Sequence, residues 1–130
     1  MSDIETESRH IEMKEIFQDI LDMEDVFGVM LFSPEGKLLF KEFPLPPPED
    51  PETRDWWPLF TASLDGVKEA DLLFDQRRLY IRETDMGYLM VLMGSLAPTA
   101  MLRLSCDMLL PKLKEKRPAK GLMRIFKRRS

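Results

Sequence analysis

Three apolar segments in the second half of the chain lie so close together that their connection has little freedom. Ala70–Asp75, Arg78–Thr84 and Tyr88–Met93 each have strand length, and only Gln76-Arg77 and Asp85-Met86-Gly87 separate them. A parallel crossover needs a dozen residues or more, so links this short force an antiparallel meander. In the middle segment Leu79 and Ile81 alternate with Tyr80 and Arg82, which sends the two pairs to opposite faces of a sheet.

A second strand pair is written upstream. Val26-Phe-Gly-Val-Met-Leu-Phe32 is a short, nearly continuous apolar run that suits a buried strand. Ser33-Pro34-Glu35-Gly36 supplies turn chemistry, with proline second and glycine fourth, and Lys37–Phe43 resumes as a strand. The stretch Pro44–Pro51 then places five prolines in eight residues. Proline removes amide donors and fixes φ, so this segment reads as a stiff loop, although a Pro-rich stretch can also be a ligand for an aromatic groove.

Helices fill the remaining positions. Ile11, Met13, Ile16, Phe17, Ile20, Leu21 and Met23 approximate helical spacing and predict a helix over about 9–23, with the preceding residues frayed. On that helix Glu12, Glu15, Asp19 and Asp22 form a solvated acidic face, with an electrostatic patch for a basic partner as the alternative. Residues 55–65 read as a short helix with Asp55 as N-cap, Pro58 in its first turn and Asp65-Gly66 as the stop. A last helix begins near Pro98 and carries Met101, Leu102, Leu104, Cys106, Met108, Leu109, Leu110 and Leu113, with Pro111 expected to bend or end it. Most of the methionines, Met30, Met90, Met93, Met101 and Met108 among them, read as core filler. The order is α-β-β-α-β-β-β-α, a five-stranded antiparallel sheet covered by helices.

At 130 residues, 44% of them apolar, the chain has enough material for one core. The polar, acidic start MSDIETESRH matches neither a secretory signal nor a transit peptide. A single cysteine, Cys106, forms no intramolecular disulfide, so the expected location is the reducing cytoplasm. The net charge of −4 conceals an asymmetry: residues 112–130 hold nine basic side chains and one acid, a local +8, against −12 for the rest.

Catalytic groups are scarce. His10 is the one histidine, Cys106 sits on an apolar helix face, and the six glycines make no phosphate-cradling loop. Neither a metal site nor a cofactor is expected, and the protein reads as a non-enzyme. Arg77 and Arg78 at a hairpin tip read as keeping the turn wet, the alternative being a cation presented to a phosphate.

The first hairpin, Val26–Phe40, and the passage from Tyr88-Leu-Met-Val-Leu-Met93 into a helix near Pro98 resemble the Roadblock/dynein-light-chain family. Ser33-Pro34-Glu35-Gly36 stands at the family's turn, with serine where aspartate is frequent. The resemblance covers roughly residues 9–115 and implies a Roadblock-like, profilin-like sandwich there; residues 1–8 read from composition as a flexible N-terminus and 116–130 as a basic amphipathic tail, which belongs to no general family pattern. The resemblance also implies a dimer, with itself or a paralogue, in which sheets join edge to edge and middle helices pair. Similar bacterial proteins regulate Ras-like small GTPases in cell polarity and motility, and eukaryotic relatives serve as adaptors and scaffolds. A small-ligand sensor of the PAS or GAF kind is the alternative from a different class.

Two surfaces are then candidates for contact. Adjacent helical residues lie about 100° apart, so Trp56 and Trp57 cannot both face the sheet, and one turns to solvent or a partner. With Leu59, Phe60 and Leu64 they form the expected dimer or partner interface, the plainer reading being that both tryptophans pack partly beneath the proline loop. The tail carries Lys116, Arg117, Lys120, Leu122, Met123, Arg124, Ile125, Phe126, Lys127, Arg128 and Arg129. Interleaved cations and apolar residues suit an anionic membrane interface, which would recruit the protein as an adaptor to the inner face of the membrane. They equally suit an acidic protein surface, including the first helix of another copy. A disordered solubilising tail is the plain reading, and nucleic acid is the least favoured partner because the body is acidic.

Overall fold

The computed structural model describes residues 3–44, 53–74 and 77–115, and the basic tail lies outside them. The elements are α1 (Asp3–Leu21), β1 (Val26–Phe32), β2 (Leu38–Glu42), α2 (Trp57–Ala62), β3 (Glu69–Phe74), β4 (Arg77–Thr84), β5 (Gly87–Gly94) and α3 (Thr99–Glu115). The strands form one antiparallel sheet in the order β2-β1-β5-β4-β3. The chain's last strand therefore lies at the centre, paired with β1 on one side and β4 on the other. This placement explains why β5 is buried along its whole length while β3 is not.

Each face of the sheet has its own core. Val29, Leu31, Tyr80, Leu89, Val91 and Met93 meet Phe17 and Ile20 of α1 and Leu102, Cys106, Leu109 and Leu113 of α3. Met30, Phe32, Leu79, Ile81, Tyr88, Met90 and Leu92 face the other way, toward Trp57 and Leu64. Leu79 and Ile81 thus fall on one face and Tyr80 on the other, as their alternation requires. Among the described residues no helix is long and apolar enough to cross a membrane.

The turn between β1 and β2 has the expected form, with the Gly36 amide donating to the Ser33 carbonyl at 2.8 Å. The Ser33 hydroxyl accepts from the Lys37 amide at 3.1 Å, as a short polar side chain at a turn does. Gly36 sits at φ +91°, a region other residues seldom adopt. Gly28 is needed for another reason: a Cβ there would fall 1.9 Å from the Phe43 ring.

Several local expectations are corrected. The first helix begins at Asp3 rather than about 9, so the segment expected to fray supplies a helix start. α2 is shorter than 55–65, and its N-cap is Trp56 with no side-chain cap bond, so Asp55 does not cap it. Pro111 lies inside α3 and does not end it, because its ring is exposed and Leu113, fully buried, holds the next turn to the core. Met101 and Met108 are exposed rather than core residues, because Leu102, Cys106, Leu109 and Leu113 already occupy the sheet-facing stripe of the helix.

An unforeseen clasp joins the loop between α1 and β1 to the end of β5 and the loop that leads into α3. Asp25, in the left-handed region at φ 63°, accepts the Gly94 amide on its carbonyl and the Leu96 amide on its carboxylate, both at 2.8 Å. Aspartate is among the few residues other than glycine that visit that conformation, and here its carboxylate is held by the distant Leu96 amide.

Candidate partner interface

The six-residue α2 is too short to hold itself, and polar contacts at both ends fix it to the sheet. The Trp57 indole donates to the Gly36 carbonyl at 3.1 Å, which ties the start of the helix to the first hairpin's turn. The Tyr88 hydroxyl donates to the Leu64 carbonyl at 2.6 Å, which ties the segment after the helix to the start of β5. Within the helix the Thr61 hydroxyl donates to the Pro58 carbonyl at 3.1 Å, and its side chain packs on Gly36.

These contacts divide the two tryptophans. Trp57 is buried, its ring edge-on to Phe32 at 4.9 Å. Trp56 is 46% exposed and stands edge-on to Phe60 at 5.7 Å, while Leu59 is 78% exposed. Phe60 is half-buried and Leu64 is core. Of the five residues singled out on this helix and its exit, Trp57 and Leu64 build the fold. Trp56 and Leu59 face outward, and Phe60 bridges the two groups.

The second component is β3, one of the sheet's two edge strands, whose exposed apolar residues carried no singular signal in the sequence. Its outer backbone row meets no strand among the described residues. Leu72 stands opposite Leu79 and so shares a sheet face with α2, whereas Leu73, 70% exposed, stands opposite Arg78 on the other face. An edge with unpaired amides and apolar side chains is a template for pairing with another strand. The helix that carries Trp56 at its cap and Leu59 therefore lies on the same sheet face as Leu72.

Behind this edge lies a polar network. Tyr80 donates to Glu69, Arg82 donates to Tyr80 at 3.0 Å and to Asp107, and Arg103 reaches Glu69 at 3.0 Å. Burial pushes the Tyr80 hydroxyl up to about 12, with the Glu69 bond adding to the rise and Arg82 opposing it. Burial likewise raises the adjacent Cys106 thiol to about 12, so it stays protonated and behaves as a small apolar residue. Arg78 is engaged by Asp71 at 2.5 Å on the neighbouring strand, which removes it as a cation free to meet a phosphate.

His10 stacks on Phe40 at 4.9 Å, and its Nε2 lies 2.9 Å from Glu42 Oε1. Among the described residues no group of three or more His, Cys, Asp or Glu side chains gathers in metal-binding geometry. An open depression of about 530 Å³ is lined by the exposed residues Thr53, Arg54, Asp55 and Trp56. The side chains between sheet and helices, Tyr80, Phe17, Phe32 and Met90 among them, are packed to nearly zero exposure.

No family model matches this chain, and neither does any curated protein. Solved structures do. The Roadblock/LC7 domain from Streptomyces avermitilis aligns at 16% identity with a TM-score of 0.60, over 79% of this chain and 95% of that one. An MglB in a tetrameric arrangement aligns at 16% identity and 0.66, over 81% and 87%. Myxococcus xanthus MglB aligns at 12% identity and 0.64, over 83% and 93%. The fold of this chain is the Roadblock/LC7 fold.

Proposed function

We propose, from the premise of a Roadblock/LC7 fold, that the protein is a non-enzymatic dimeric regulator or scaffold that binds a Ras-like small GTPase or a related signalling protein. The observation that carries the dimer is the pairing of an open, apolar edge strand with an outward Trp56/Leu59 surface on the same sheet face. Joining β3 to the β3 of a second copy satisfies the unpaired backbone of both strands. It also brings the two α2 helices together, with Trp56 and Leu59 as aromatic and aliphatic anchors. A paralogue with the same edge would serve equally.

The GTPase half of this reading follows from the resemblance in the hairpin and in the passage from β5 into α3. It is supported by similarity to MglB structures at the level of fold. A scaffold of this kind acts by surface complementarity, so its partner is bound rather than converted.

Light scattering on the purified chain should give twice the monomer mass. Trp56→Ala and Leu73→Lys should each shift it toward the monomer, and a mass unchanged in both would remove the seam. For the partner, a P-loop GTPase recovered with the tagged protein from its native host should show altered nucleotide release or hydrolysis when the protein is added. Unaltered rates and no stable complex would end the GTPase reading while leaving the dimer intact.

A further inference from the structure

One surface is left unexplained by the proposed seam. On α3, Met101, Leu104 and Met108 are 58%, 60% and 67% exposed, and they recur at intervals of three and four residues. That spacing makes a continuous apolar stripe of the kind a second helix covers. Its location follows from the neighbours. The flank of α3 toward β3 carries Arg103 and Asp107, which bond Glu69 and Arg82, so Met101 and Met108 lie on the opposite flank, toward α1.

The same reasoning orients α1. His10 and Lys14 reach Glu42 on β2, so the other flank, which carries Ile16 and Asp19, looks toward α3. Asp19 is exposed, as are Glu15 and Asp22 on the outer surface of the helix, and the last turn of α1 holds no basic residue. The groove between the two helices thus has an apolar α3 wall and an acidic α1 rim.

We propose that residues 122–130 of this same chain fold back into that groove as a short amphipathic helix. Three properties of the segment fit it. Leu122, Met123, Ile125 and Phe126 cluster within one side of a helix and match the stripe. Residues 116–130 hold seven cations and no acid, against the acidic rim. The lengths also agree: nine helical residues span about 13 Å, and the stripe from Met101 to Met108 spans about 10 Å. The chain leaves α3 at Glu115, the Met108 end of the stripe, and Pro118 and Gly121 suit a reversal before the segment begins. α1 and α3 run antiparallel, since each enters or leaves antiparallel neighbours β1 and β5 through a short loop. The returning segment therefore carries Lys127, Arg128 and Arg129 toward Asp19 and Asp22. There they also meet the negative end of the α1 dipole. This docking is independent of the GTPase reading and of the β3 seam.

Amide hydrogen exchange of the full chain, followed by mass spectrometry, tests it. At low salt, residues 122–130 should exchange at least about tenfold more slowly than an unstructured peptide of the same sequence, with no dependence on protein concentration. Leu104→Asp and Met108→Asp should abolish that protection, and Met108→Leu should retain it. Because a carboxylate on α3 could also disturb folding, the double reversal Glu15→Lys with Asp19→Lys provides a second reading away from the stripe. It should speed exchange severalfold at an unchanged melting temperature. Fast exchange in the unaltered chain overturns the proposal. So does protection that falls on dilution, which would assign the groove to a second copy's tail. Protection gained only with vesicles of phosphatidylcholine and phosphatidylglycerol also overturns it, and would assign the segment to membrane.

Discussion

On one face of the sheet, helices of 19 and 17 residues lay a broad apolar layer over the strands. On the other, a helix of six residues does the same task with one tryptophan, one leucine and two hydrogen bonds. The first face is held by area, which is non-directional and tolerant of small shifts. The second is held at points, Trp57 to Gly36 and Tyr88 to Leu64, so its position depends on individual atoms. Both faces leave apolar side chains outside, Met101, Leu104 and Met108 on α3 and Trp56 and Leu59 beside α2, so the difference lies in how each cover is held and not in what it exposes.

Substitutions can break this comparison, beginning with the largest effect. Phe17 is fully buried and stacked on Phe40 at 5.3 Å, so Phe17→Ala should cost about 3–5 kcal/mol of unfolding free energy in a urea titration. A loss below about 1 kcal/mol would mean that the two-helix face is not the dominant core.

Alkaline pH addresses the same face. Cys106 and Tyr80 both have folded values raised to about 12, above their ordinary values of 9.0 and 10.0. The unfolded chain therefore releases these protons first. The stability they contribute is complete below pH 9 and is lost as pH climbs toward 12. Taking the urea midpoint from pH 8.5 to 10.5 should reveal a loss of about 2 kcal/mol, partly flattened in Cys106→Ala. A flat profile in the unaltered chain would contradict the burial of both groups. Both tryptophans and Tyr88 belong to the α2 side, so tryptophan fluorescence should lag behind the Tyr80 signal, read in a Tyr88→Phe background, if the two faces loosen separately.

On the point-held face, Tyr88→Phe removes one hydroxyl and leaves the Leu64 carbonyl without that donor. An expected loss of about 1–2 kcal/mol, read by thermal unfolding, measures how much a single pin contributes. Trp56→Ala should have the smallest effect on the monomer, within about 0.5 kcal/mol, because the ring is half in solvent. A larger loss in a monomeric background would identify Trp56 as a structural residue rather than a contact residue.

Much of the framework was legible because it depends on local geometry. The β4 alternation separates Leu79 and Ile81 from Tyr80, and the Ser33–Gly36 turn needs only its four residues. The division of labour between Trp56 and Trp57 followed from the angle between neighbours on a helix, although which ring turned inward depended on the Gly36 carbonyl. The α3 methionines were not legible. That helix is apolar on more than one side, and periodicity cannot select the side the sheet takes. His10 was unreadable for a similar reason, since its partners Phe40 and Glu42 lie some thirty residues away on β2. The tail residues 116–130 fall outside the described residues, so their expected contacts remain proposals argued from the groove and from charge.

The central position of β5 also governs how the chain must assemble. The hairpin of β1 and β2 and the meander of β3, β4 and β5 can each form from neighbours in sequence. Joining them sets Val29 beside Val91, about sixty residues apart, and closes a loop that contains both the prolines and α2. Loop closure of that length must precede the contacts that reward it, so the β1–β5 zipper is the expected kinetic bottleneck of folding. Until it closes, two half-sheets with bare edges coexist in one molecule. How quickly β5 finds β1 therefore determines how long a newly made chain is exposed to pairing with the wrong strand.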